Sequence, residues 1–188
     1  RPIAAEAIDR ALAERGIAAR YTVRDVGLRT QRLERVSIGD PARPDVTVDW
    51  AEIDVETRWG EVRVTQVRAR GVILRGALMG SRVSFGAIDR LLPTPTGEPF
   101  TLPAIDVALG DARLLLATPQ GNVGVRLNGA GRLDRNFRGQ ALVAARRLGS
   151  GDCAAERVRG RFDVTTAADA RRRVRATGPV RFARIECQ

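Results

Sequence analysis

Ala51-Glu52-Ile53-Asp54-Val55-Glu56-Thr57-Arg58-Trp59 sets Ala, Ile, Val, Thr and Trp on one side of an extended chain and Glu, Asp, Glu and Arg on the other. Side chains of a strand alternate with period two, so this stretch reads as a strand with one covered and one wetted face. Just upstream, Val46, Val48 and Trp50 alternate in the opposite phase, which predicts a bulge at Trp50-Ala51. Alternation recurs at residues 21–26, 62–69, 72–78, 105–109, 112–116, 123–127 and 162–164. Together these predict about ten antiparallel strands.

The punctuation between them predicts a meander. Gly60-Glu61, Gly80-Ser81, Gly110-Asp111 and Pro119-Gln120-Gly121-Asn122 separate alternating runs and suit tight turns, so neighbouring strands are expected to pair in sequence order. Residues 93–100 carry three prolines, which remove ladder donors, and read as a loop dividing a first sheet portion (20–92) from a second (101–188). Just before the loop, residues 86–92 have room for one or two helical turns. Beyond Leu148 the alternation weakens, and Arg171-Arg172-Arg173, within residues 167–176, reads as a mobile or surface segment.

The amino-terminal stretch differs. Ile3, Ala7, Ile8, Ala11 and Leu12 recur at helical spacing, with Gly16 where a carboxy-terminal cap belongs. This predicts an amphipathic helix within residues 1–16, expected to pack over one end of the sheet. The fold class expected is therefore mainly β: a single domain, 1–188, in which a curved antiparallel meander sheet forms a groove capped by that helix. Its aromatic content is 4%, so the apolar face is built of Val, Leu, Ile and Ala.

Composition removes several kinds of chemistry. The chain has no His, hence neither the usual general base nor the commonest metal ligand. The carboxylate pairs Asp49/Glu52 and Asp54/Glu56 fall on the wetted side of alternating strands. Gly121, Gly124, Gly129 and Gly131 lack the helix start and Lys of a phosphate-cradling loop. Neither catalytic residues, nor a metal site, nor a cofactor is expected. The net charge of +10, carried entirely by Arg, attracts nucleic acid or anionic lipid head groups. Single-strand nucleic-acid binders stack bases on clustered aromatics, and the eight aromatics here are scattered, so nucleic acid is not the expected partner. Cys153 and Cys187 are the only cysteines. They form either two free thiols or one disulfide; a bridge, the favoured reading, belongs to an oxidising compartment such as the periplasm.

Three pieces carry a family resemblance: residues 33–46 (LERVSIGDPARPDV), 67–76 (VRARGVILRG) and 84–93 (SFGAIDRLLP). Over roughly residues 1–150 the series resembles the amino-terminal periplasmic part of YdbH-like members of the AsmA/TamB superfamily. The resemblance implies an inner-membrane protein with one amino-terminal anchor, absent from this chain, and a long periplasmic β-groove that conducts phospholipid between inner and outer membranes. It also implies parent chains much longer than 188 residues and offers no catalytic motif. A periplasmic or outer-membrane protein is a further partner consistent with it.

A sheet with one apolar face and one short helix must either curl over itself or cover a ligand. If it covers an acyl-chain lipid, alternation assigns Ile53, Val55, Val62, Val64, Leu74, Ile105, Val107, Leu114, Leu116, Val123, Val125 and Leu127 to the lipid-binding face. If it closes, the same residues form a dry core of a structural or assembly module.

Overall fold

In the computed structural model, which describes residues 3–25, 27, 29–90, 102–167 and 174–187, the alternation at Ala51 lies within a 16-residue strand. The elements run α1 (Ile3–Glu14), β1 (Ala19–Asp25), β2 (Thr30–Asp40), β3 (Arg43–Arg58), β4 (Glu61–Arg70), β5 (Ile73–Met79), β6 (Arg82–Ser84) and a 3-10 turn (Gly86–Arg90). After the crossing segment come β7 (Asp106–Thr118), β8 (Gly121–Arg132), β9 (Arg138–Ser150), β10 (Cys153–Thr166), β11 (Val174–Thr177), β12 (Val180–Arg181) and β13 (Arg184–Cys187). Strand accounts for 72% of the structure, in one curved mixed sheet.

The helix ends as its sequence predicts. Gly16 takes a φ of 62°, the Ile17 amide donates to the Leu12 carbonyl at 2.9 Å, and Gly16 N–H donates to Ala13 at 3.1 Å. This six-to-one and five-to-two pair is the Schellman arrangement, in which the residues flanking the cap pack together. Leu12 and Ile17 are both buried. Arg90 of the 3-10 turn donates to the Gly16 carbonyl and the Tyr21 hydroxyl to the Asp9 carboxylate, tying helix, first strand and turn together.

The expected pairing in sequence order needs correction. The path is β1-β2-β3-β4-β7-β8-β9-β10-β11, and β4 and β5 lie end to end as one interrupted strand, antiparallel to β3 and parallel to β7. Val67 stands beside Val107, Ala69 beside Leu109 and Leu74 beside Leu114. A parallel neighbour needs a long crossover, and the segment from β6 to residue 105 supplies it. Alternation fixes that a segment is a strand, but not the direction of its neighbour. The proline-rich loop at 93–100 and Arg171-Arg172-Arg173 lie outside the described residues.

A second correction concerns Gly110-Asp111, which is no turn. It is a bulge inside β7, where Asp111 takes a φ of 50° and the ladder with β8 slips between Leu109 and Ala112. The slip keeps the apolar side chains on one face although their sequence phase changes from odd to even. Trp50 corrects a third reading. It stands on a rung with Glu34 and its ring lies 4.7 Å from the Arg32 guanidinium, so it belongs to the charged face and the phase of β3 changes one residue before the predicted place. Asp89 accepts from Ser84 Oγ at 2.6 Å and the Phe85 amide at 2.8 Å, closing the 3-10 turn.

At the far edge β11, β12 and β13 lie end to end along β10, and a disulfide joins Cys153 of β10 to Cys187 of β13, bearing out the expected bridge. Every described residue of this last edge is exposed, so apolar burial contributes little to holding it. Replacing both cysteines with Ser is therefore expected to fray residues 184–187 first. The cost is about 2 kcal/mol, the low end for a native bridge, because the edge can open without the rest. Hydrogen exchange of the β13 amides, read beside a urea midpoint, checks it.

Candidate functional site

The ladders assemble one continuous apolar face. Strand β8 runs without interruption, so Val123, Val125 and Leu127 share a side, and their rung partners Leu116, Leu114 and Ala112 on β7 share it too. Through Leu114 the face reaches Leu74, and through Val107 it reaches Val67 and then Ile53. Val55 follows Ile53 on β3 and stands opposite Val64, which is 39% exposed. Ile105 is half-buried directly before β7, its carbonyl accepting from Leu133. Val62 takes its rung opposite Thr57, but its side chain lies outside the described residues. Ten of the twelve assigned residues are thus brought to one face by hydrogen-bonded rungs.

The same rungs add residues that alternation alone did not single out. On β2, Leu33 and Val36 are buried; on β9 and β10, Ala141, Ala145 and Val158 continue the face from Leu127 and Val123. Their signal was weak because Ala and Gly interrupt the apolar alternation of β9. Phe137 is the least exposed of the buried apolar residues at 3%, and it lies where Gly129 and Gly139 leave room. A Cβ on Gly129 would come within 2.5 Å of its ring and one on Gly139 within 3.1 Å.

The face is covered but not sealed. Among the described residues no side chain falls below 2% exposure, and the strand path has two ends, with no pairing between β1 and the last edge. The accessible surface is 13128 Å², whereas a compact monomer of this mass presents about 8,800 Å². Leu114 and Leu116 are half-buried while Leu115 between them, on the other face, is 44% exposed.

That other face is ionic. Arg24, Glu34, Arg32, Glu52 and Arg68 form a chain across β1 to β4 with contacts of 3.1 to 3.2 Å, and Arg68 also reaches Asp54 at 3.7 Å. The carboxylates at Glu52 and Asp54 are thus spent on a cross-strand ladder. At the β7 bulge the Asp111 amide donates to Asn128 Oδ1, and its carboxylate lies between Arg113 at 2.9 Å and Arg126 at 3.1 Å. The Arg113 hydrogen bond, aided by the charges of Arg113, Arg126 and Arg70, holds that carboxyl below its ordinary 3.8. Its contribution to stability is present above the unfolded value and is lost as pH falls through the lowered one. Among the described residues no three His, Cys, Asp or Glu gather as a metal would require, and no helix is long and apolar enough to cross a membrane.

Residues 1–188, the entire chain, match the family model described as YdbH-like, intermembrane phospholipid transport protein YdbH. The chain belongs to the YdbH-like family. A search of curated proteins returns no individual match. YdbH-like membership makes this a lipid-transport protein of the cell envelope and agrees with the sequence resemblance, now extended over the last 38 residues as well. The role that the family's description gives is transport of phospholipid between membranes.

Proposed function

We propose that the apolar face is the floor and walls of a trough that holds phospholipid acyl chains in the periplasm, while head groups stay at its mouth. The carrying observation is an apolar face continuous from β2 to β10 in which no described side chain is fully buried. Transfer of one 16-carbon chain from water onto such a face contributes on the order of 10 kcal/mol, at about 0.8 kcal/mol per methylene. That gain is nearly uniform along Val, Leu and Ile, so a chain slides without a deep trap. The twelve assigned residues are its contacts, and α1 closes one end. The segment acts without chemistry, as one unit of an inner-membrane-anchored protein that passes lipid between inner and outer membranes.

The open edges and large accessible surface support the trough over a closed assembly module. The test is native mass spectrometry of the purified protein followed by lipid extraction. Phospholipid should co-purify in defined stoichiometry. Lipid-free protein in repeated preparations from membranes, with an unchanged circular dichroism spectrum, overturns the proposal.

A further inference from the structure

The ionic face holds a group of arginines with no counter-charge. On this face Arg24, Arg32 and Arg68 are matched by Glu34, Glu52 and Asp54, and Arg113 and Arg126 by Asp111. Farther along, between the rungs Ala145↔Val158 and Arg147↔Glu156, Arg146 of β9 stands opposite Arg157 of β10. Arg159 follows on the same side of β10, opposite Ala144. All three are exposed, and no described carboxylate forms an ion pair with any of them. Like charges on facing strands repel, so this arrangement favours an anion between them.

Two further features mark the place. Arg157 has a φ of 50°, a left-handed backbone that a residue with a Cβ adopts at a cost. The arginines also surround a depression of 240 Å³ lined by Asn122, Ala144, Arg146, Arg157 and Arg159 together with Ala145 and Val158. Small Ala144 leaves the floor low, and Asn122, beside the rung Val123↔Ala145, brings an uncharged amide. Three arginines lining one shallow bowl with an amide beside them suit the oxygens of a phosphate, which accepts forked hydrogen bonds from Arg.

We propose that Arg146, Arg157, Arg159 and Asn122 form a phosphate-binding site on the face opposite the apolar one. Its ligand is a phosphate ester, either free or carried on a lipid head group. The site stands apart from the trough and does not depend on it.

The test titrates the nitrogen-15-labelled protein with inorganic phosphate at constant ionic strength and follows the arginine Nε–H and asparagine amide signals. Saturable shifts confined to these four side chains are expected. Arg146→Gln with Arg159→Gln should weaken binding by at least about tenfold. Arg58→Gln with Arg63→Gln, which removes two charges from an exposed hairpin, should change it less than about twofold. Equal loss in both double variants, or shifts spread over arginines everywhere, overturns the site and leaves only net charge. Flotation with phosphatidylglycerol vesicles gives the source. Vesicle binding lost together with phosphate binding assigns a lipid head group, and phosphate binding lost with vesicle binding intact assigns a free ester.

Discussion

Leu116→Asp empties the protein of lipid, and Leu115→Asp, one residue away, leaves lipid in place: this is the expected result of the largest functional perturbation the fold offers. Leu116 stands on the rung with Val123 on the apolar face, whereas Leu115 points to the other side and is 44% exposed. An acyl chain laid across Leu116→Asp must strip water from a carboxylate or force its protonation, at a cost of several kcal/mol. Even about 3 kcal/mol weakens occupancy by more than 100-fold. Without lipid the new carboxylate stays hydrated, since Leu116 is only half-buried, so the variant is expected to fold. Quantified lipid extraction of both variants, with matched thermal melts, decides it. Equal retention in the two places lipid somewhere other than on this face.

The contrast between these neighbouring leucines was legible in the sequence, and the reasons for what was not are equally local. In β3, β7 and β8 large β-branched and Leu residues alternate with charged or small ones, so period two is loud. In β9, Ala141-Leu142-Val143-Ala144-Ala145 puts Leu on the wet side and Ala on the covered side, and hydrophobicity misreports the phase. Strand β2 hid behind a change of phase at Arg35, which has a φ of 52°, so buried Leu33 and Val36 are odd and even in number yet share a face. The parallel partnership of β4 and β5 with β7 depends on a crossover of more than twenty residues, which no local pattern encodes. Gly110-Asp111 carries the composition of a turn and the role of a bulge, because both need a positive φ. The single cysteine pair, by contrast, needed only the right compartment to be paired correctly.

Phe137 is where the sequence was least informative and where the expected effect on stability is greatest. It lies between β8 and β9 with no alternation around it, yet it is the least exposed apolar residue described. Its backbone is held on both sides by Thr166: the Phe137 amide donates to Thr166 Oγ1 at 2.9 Å, and the Thr166 amide donates to the Phe137 carbonyl at 3.1 Å. Thr166 Oγ1 in turn donates to the Arg132 carbonyl at 3.4 Å, so the ring is fixed at the point where the β8–β9 connection meets the end of β10. Gly129 and Gly139 are bare where the Phe137 ring comes close to them. Phe137→Ala removes that filling while the two glycines cannot move inward to replace it. It is expected to cost about 3 kcal/mol, the lower end for a buried Phe because the site sits at an edge of the covered region. Gly129→Ala attacks the same contact from the opposite strand, where the added methyl meets the Phe137 ring at 2.5 Å and the Arg138 carbonyl at 2.7 Å. Since the double variant relieves the ring clash and leaves the backbone one, the two costs should combine to less than their sum in urea unfolding. Additive costs would mean that ring and glycine do not touch, and that this end of the sheet is held by the Thr166 hydrogen bonds alone.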